Sequence, residues 1–377
     1  MPSSSTIRRV TWQGSKQRLE TFFWRAAGIA SSKEMDLTIN IALATYDSIV
    51  LGCDSLSSIV ENVIFPFEHE YAKDATGNYI LDAEGNFLLS ISMDKVTQVA
   101  TTVFGGVSKM FCVHEEGSGG DDVSVAAVTA GLAILGGVTI AEQVKRFRRG
   151  QKGIQYRTTE AVVNAFYAHF KAEWDRQFSH VPADQRAFLP TLQFIAAGYG
   201  PDDEHLKVFR IDVREESVDE QFTNGNHAGM CWGGMANYVE RLTKGVDYSL
   251  VYTATRQVAS AMADQREKVL KDVSDALAAA GIALPEGLEI NVTEQSSPTL
   301  PWDSHAADID FGNLSTQYAV ELVELLVNTQ SGMQRFARGI PTVGGRTHIG
   351  VLKRGEGFKP LNEPTLQHLH TGYSHDF

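Results

Sequence analysis

The chain has 377 residues, 43% of them hydrophobic, with 33 Lys and Arg against 46 Asp and Glu, a net charge of −13. That is enough apolar material for one large folded domain or two ordinary ones, and the acidic balance argues against a general nucleic-acid or anionic-membrane surface, because both need clustered cations. Three widely spaced cysteines (Cys53, Cys112, Cys231) and the lack of an apolar run of about 18 residues argue against a disulfide framework, a structural zinc site and a transmembrane helix. A reducing, cytoplasmic setting with no cofactor and no metal is expected.

The first 34 residues stand apart, with six basic residues (Arg8, Arg9, Lys16, Arg18, Arg25, Lys33) against two acidic ones (Glu20, Glu34). Leu19, Phe22, Phe23, Ala26 and Ile29 could line one helix face. Three readings stay open: a removable or disordered leader (including a true start at Met35), a docked N-terminal helix, or a targeting helix.

Residues 39–46 and 48–56 read as two strands. Residues 59–98 contain KDATGNYIL and LDAEGNFLL, an Asp-Ala-x-Gly-Asn-aromatic motif repeated after eight residues. Asp, Gly and Asn supply the turns of an inserted flap, and the spacing is not that of a calcium loop. Strands are predicted at 102–114 and 123–130, then helices at 132–149 and 158–178. The second helix has a core stripe of Val162, Val163, Phe166, Tyr167, Phe170 and Trp174. Further strands are predicted at 191–199, 205–213 and 217–223. The turn Gly233-Gly234 leads into a helix at 235–244.

A long helix over 251–280 should bury Val258, Met262, Val269, Val273 and Leu277. Residues 281–312 hold Pro285, Pro298 and Pro301 and read as irregular; a helix at 314–337 and a strand at 344–352 close the pattern. Helices come in pairs, not one after each strand, which argues against a Rossmann or TIM arrangement. Two packed, mainly antiparallel sheets with helix pairs outside fit better, an α+β sandwich.

The run TINIALATYDSIVLGCDS places Thr38 before the first strand and Asp54 after the second, 16 residues apart (54 − 38 = 16). It resembles the opening of a proteasome β-type subunit, which begins with a catalytic threonine and ends its second strand in a small-x-Asp-Ser turn. SKMFCVHEEGSGGDDVSVAAVTAG is similar to that family's lysine strand and the strand after it. FIAAGYGPDDEHLKVFRID and CWGGMANYVERL resemble later parts of the same family, and the chain looks nearest to the bacterial proteasome homologues, of which Anbu is one group. The resemblance covers most of residues 38–352. It implies a four-layer αββα Ntn-hydrolase domain over 38–355 with insertions at 59–98 and 250–312, a leader or propeptide-like segment over 1–37, and a tail over 356–377.

Carried over by position, Thr38 is the nucleophile, Lys109 its electrostatic activator, Asp54 the partner of that lysine, and the Gly131 N–H the oxyanion donor. Lys95, in SMDKVTQV, is a rival for the lysine. A threonine hydroxyl needs a base, and the free α-amine of the same residue supplies it, with a reference pKa of about 7.7–8.0. Three functions stay open. The first is a threonine-type peptidase or amidohydrolase acting on a peptide or protein after removal of residues 1–37. The second is an inactive subunit that scaffolds a ring or binds a partner. The third is an Ntn-fold acylase on a non-peptide amide. A homo-oligomeric ring and an ATPase or cap partner are implied by the resemblance alone.

The sequence departs from the pattern in two places. Leu37, not glycine, precedes Thr38, and GIPTVGG at 339–345 has Ile340 and Val343 where active members often carry a supporting Asp and Ser. Without cleavage before Thr38 there is no free amine. His368, His370 and His375 lack companion ligands for a metal, and Cys53 lacks an adjacent base.

Overall fold

The computed structural model describes residues 38–63, 70–74, 76–82, 85–90, 97–115, 122–182, 185–186, 189–223, 227–282, 302–337 and 340–362. The leader, Lys95, most of the 281–312 segment and the histidine-bearing tail lie outside these. In chain order the strands are β1 (Ile39–Ala44), β2 (Ser48–Cys53), β3 (Ser57–Val63), β4 (Glu70–Tyr71), β5 (Leu89–Ser90), β6 (Thr97–Phe104), β7 (Met110–Glu115), β8 (Ser124–Gly131), β9 (Ile134–Leu135) and β10 (Val138–Thr139). Helices α1 (Ile140–Gly150) and α2 (Thr159–Phe178) follow, then β11 (Leu192–Tyr199), β12 (Lys207–Asp212), β13 (Ser217–Glu220) and β14 (Gly229–Gly234). The chain continues through α3 (Asn237–Lys244), α4 (Tyr248–Ala279), α5 (Thr316–Gln334), β15 (His348–Lys353) and β16 (Gly357–Pro360).

The chain divides into two compact units. The larger comprises residues 37–57, 104–181 and 191–377. It holds two five-stranded antiparallel sheets, ordered β14-β1-β2-β15-β16 and β13-β12-β11-β8-β7. In β1 every side chain is buried, because both faces are covered. Ile39, Ile41 and Leu43 join Val323, Leu326 and Val327 of α5 in one core, while Ala42 and Ala44 join Ala126, Val128 and Ile195 of the second sheet in another. The small alanines let the sheets approach. Gly52 does the same for α5, since a Cβ there would sit 2.3 Å from Val323 Cγ1.

On the far face of the second sheet, Phe166 and Phe170 of α2 pack on Phe194 of β11 at centroid distances of 5.0 and 4.6 Å. Each such buried ring contributes roughly 1.5–3 kcal/mol relative to exposure. Phe147 brings α1 onto Phe166 at 5.3 Å. The layers are therefore helix pair, sheet, sheet, helix pair, as the element order implies. The helix starts have physical causes. Thr158 caps α2 through the Ala161 N–H at 3.2 Å. α3 has no side-chain cap of its own, and Gln330 of α5 accepts the Tyr238 N–H at 3.0 Å in its place.

The smaller unit includes residues 58–103. β3 pairs with β6 and β4 with β5. The repeated motif forms two equivalent turns. Asp74 Oδ1 accepts the Asn78 N–H at 2.9 Å and Asp82 Oδ1 accepts the Asn86 N–H at 2.8 Å. Tyr71, Tyr79 and Phe87, eight residues apart, cluster at 5.2–6.0 Å.

Several element expectations need correction. The strand over 102–114 is two, because Gly105 and Gly106 (φ +73°) end β6 before β7 begins. The helix over 132–149 starts only at Ile140. Gly136 and Gly137, both left-handed, first fold a β9–β10 hairpin, and Thr139 caps the helix. Residues 229–234 are a strand, not only a turn, and β16 continues the first sheet beyond residue 355. The expected stripe of the long helix is not buried, for no residue of α4 is.

Candidate active site

Thr38 immediately precedes β1, and its carbonyl accepts the Met235 N–H at 2.7 Å. Gly234 (φ +72°) ends β14 against it, where a Cβ would stand 1.9 Å from the Thr38 oxygen. Only glycine fits that approach. Asp54 follows β2. Its Oδ1 accepts the Ile39 N–H at 3.2 Å, and its Oδ2 accepts the Leu56 N–H at 3.1 Å and the Gly344 N–H at 3.0 Å. Lys109 enters from the other sheet, just before β7, where its carbonyl accepts the Thr129 N–H of β8 at 3.0 Å.

The three side chains meet between the sheets. Lys109 Nζ donates to Thr38 Oγ1 at 2.7 Å and to Asp54 Oδ1 at 2.9 Å. Thr38, Lys109 and Asp54 are 3%, 5% and 1% exposed, so the contacts act with little solvent screening. Burial pushes the Asp54 carboxyl above its ordinary value, and the Lys109 ammonium and the backbone N–H donors pull against that rise. The set can hold a positive charge against the threonine oxygen and stabilise negative charge developing there.

Gly131 ends β8 opposite Leu192 with φ +91°, two residues beyond the Thr129 that binds Lys109. A Cβ there would meet the Thr191 carbonyl at 2.1 Å, so the position demands glycine whatever its N–H does. Cys53 is fully buried, and burial, with Asp54 adding, pushes its thiol far up. Burial also pushes Cys112 up to about 11 and Cys231 up to about 12, so none of the three thiols has thiolate character near neutrality. Among the described residues no group of three His, Cys, Asp or Glu could hold a metal ion. No described helix is long and apolar enough to cross a membrane.

Sequence reasoning missed the contribution of the 340–348 segment. Gly344 binds Asp54 by its amide, the Ser55 N–H donates to the Gly344 carbonyl at 3.1 Å, and the Arg346 N–H donates to Ser55 Oγ at 2.7 Å. Val343 is buried in the core beneath α5, and Ile340 is exposed. Support for the site from this segment is thus by backbone. His348 also went unnoticed. It lies beside Cys53 in the β15–β2 register and is 4% exposed, and its Nε2 has no hydrogen-bond partner among the described residues. Asn40, on the other side of Cys53, is likewise buried with both amide atoms unpartnered among the described residues. No sequence signal marked either, because a strand histidine or asparagine is read by default as a surface residue.

No protein-family profile matches the chain, and no curated protein matches it. Among solved structures it is similar to a mutant of Anbu from Hyphomicrobium sp. strain MC1, at 9% identity and a TM-score of 0.41 over 86% of this chain and 87% of that one. It is also similar to the Anbu complex from Pseudomonas aeruginosa, described as a helical assembly, at 10% identity and a TM-score of 0.40 over 86% and 85%.

Proposed function

We propose that the protein is a threonine-type peptidase or amidohydrolase whose nucleophile is Thr38 after removal of residues 1–37. The observation that carries this reading is the bridge of Lys109 from Thr38 Oγ1 to Asp54 Oδ1 at 2.7 and 2.9 Å, wholly buried between two sheets. A structural threonine before a strand has no need of a buried ammonium. Burying that ion and its carboxylate costs several kcal/mol that good geometry only partly offsets.

In the reaction, Thr38 Oγ attacks the amide carbon of the substrate. Its proton passes to the freed α-amine and from there to the leaving amine. The Lys109 ammonium stabilises the threonine oxygen as it loses its proton, and Asp54 keeps Lys109 aimed. Water then cleaves the Thr38 ester and regenerates the hydroxyl. The Gly131 N–H serves the carbonyl oxygen, a role typically worth about 2.7–4 kcal/mol. A peptide or protein is the expected substrate, and a small non-peptide amide remains a variant of the same chemistry.

A second reading follows from the sequence around the nucleophile. Thr38 is preceded by Leu37, and while that peptide bond stands, its nitrogen is an amide and no base. In that state the protein is a ring-building or partner-binding subunit. Intact mass and N-terminal sequencing of the purified chain separate the two. A chain starting at Thr38 that is labelled irreversibly by an epoxyketone, with Thr38→Ala unlabelled and folded, supports the peptidase. A chain that keeps residues 35–37 and resists labelling supports the subunit reading.

A further inference from the structure

His348 is buried beside the Thr38 cluster, and the chemistry above leaves it idle. It opens β15 and stands opposite Cys53 of β2, and Cys53 stands opposite Asn40 of β1. Cys53 shares a core cluster with Ala126 and Val128 of the second sheet, and residues opposite one another across strands point to one face. The imidazole is therefore directed between the sheets, into the layer where Lys109 meets Asp54. Its Nε2 has no hydrogen-bond partner among the described residues, and the charges that act on it are those of Asp54, Lys109 and Arg346. Cys53, the other titratable side chain in this row, is held neutral by burial.

Asp54 has no acceptor to spare. Its Oδ1 takes the Ile39 N–H and Lys109 Nζ, and its Oδ2 takes the Leu56 and Gly344 N–H groups. A carboxylate offers about four lone-pair sites, so a further donor must displace one of these. Three of the four are backbone groups fixed by the strands and turns that carry them. Lys109 is the fourth, on a flexible stem, and a second cation in this layer repels it with little screening. We propose that His348 is a positioning residue for Lys109: the neutral ring leaves the ammonium bridged between Asp54 and Thr38, and the protonated ring competes for Asp54 and drives the ammonium off the threonine oxygen. The site is thus armed at neutral pH and disarmed in acid. Burial holds the ring below the ordinary 6.5, with the Lys109 and Arg346 charges adding and Asp54 opposing, so the ring takes up its proton only below 6.5. In its effect on hydrolysis this rests on the Thr38 reading. The competition for Asp54 does not, because the bridge is present in the chain that keeps Leu37.

The test follows Lys109 itself. Full-length wild-type, His348→Gln and His348→Asn chains are pulsed with an amine-acetylating reagent in steps from about pH 8 to about pH 5. Labelling of Lys109 is read by mass spectrometry against the exposed Lys359. Both variants replace the ring by an amide that takes up no proton, and they place that amide differently, so one folded variant is enough. At the alkaline end all chains should label Lys109 alike. At the acid end the wild-type chain should label it roughly tenfold faster than the variants, a coupling of about 1.4 kcal/mol. Equal ratios throughout would overturn the proposal. So would an acid rise shared by the variants, which would assign it to Asp54. Where the chain hydrolyses an amide, the acid limb of kcat/KM should lie at lower pH in the variants, and an unmoved limb would overturn the proposal as well. Labelling that switches in a chain that hydrolyses nothing at any pH would sink the Thr38 chemistry and leave the His348 coupling standing.

Discussion

The Gly344 N–H donates to Asp54 Oδ2 at 3.0 Å, so a carboxylate fixed near the start of the chain is held by an amide 290 residues later. The adjacent Gly345 (φ +79°) makes this possible, because a Cβ there would press on Ser55 Oγ at 2.6 Å. Gly345→Ala is expected to cost about 1–2 kcal/mol, read as a lowered midpoint in thermal unfolding. It should also reduce hydrolysis more than that loss explains. Unchanged turnover would show that Asp54 does not need the Gly344 contact.

Lys109 and Asp54 form a buried pair, and removing one partner strands the other. Lys109→Ala should destabilise the fold by about 3–5 kcal/mol and abolish hydrolysis. Thr38→Ala loses one hydrogen bond and should cost only about 1 kcal/mol while abolishing hydrolysis as well. Combining Lys109→Met with Asp54→Asn should recover part of the stability and none of the activity. Chemical denaturation of all four proteins checks the pattern. Equal stability of Lys109→Ala and Thr38→Ala would contradict the buried pair.

His348 adds a pH dependence. Burial holds its imidazole below the ordinary 6.5, the Lys109 and Arg346 charges add to this, and Asp54 opposes it. The unfolded chain therefore takes up a proton more readily as pH falls through 6.5. The folded state loses stability from there down to the depressed value. His169 has the same sign, again from burial. Asp54 slopes the other way above 3.8, because burial makes ionisation costly in the folded state. The difference between the wild-type chain and His348→Gln isolates one group. The variant should show a flatter fall in unfolding free energy below pH 6.5, and identical slopes would assign that fall to the other groups.

The inserted flap offers a local test. Asp74 accepts from the Thr76 hydroxyl at 2.7 Å and from the Asn78 and Thr76 amides at 2.9 Å, and these bonds, the hydroxyl's foremost, hold its carboxyl below the ordinary range. Asp74→Ala should loosen residues 70–90, read as faster amide exchange there, with the Thr38 region unchanged. Faster exchange around Thr38 would mean that the two regions unfold together.

The meeting of Thr38, Asp54 and Lys109 in one candidate cluster was legible in the sequence because all three stand at strand ends next to turn residues. Their order and spacing survive as a pattern along the chain. The layered α+β architecture was legible for the same reason, since strands and helices come in pairs. What failed had physical causes. The GMCWGG strand is so rich in glycine that it reads as a turn, although two of those glycines exist to let β14 press against Thr38 and Asn40. The β9–β10 hairpin hid in an apolar run whose only mark is a glycine pair. Gly344 acts through an amide that every residue possesses, so no side-chain motif could announce it. The α4 stripe was read correctly as apolar and wrongly as core, because periodicity tells which face wants cover and not what supplies it.

The layout of Asp54 sets an order of events in time. Its partners arrive from residues 39, 56, 109 and 344, so the carboxylate lacks its last donor until the segment before β15 has been made and has docked. A chain that lacks this segment can still form the Lys109–Asp54 pair but leaves Asp54 Oδ2 one N–H donor short. Asp54 is therefore fully held only after Gly344 has joined the fold. A segment made late thus locks a carboxylate set down by an early one.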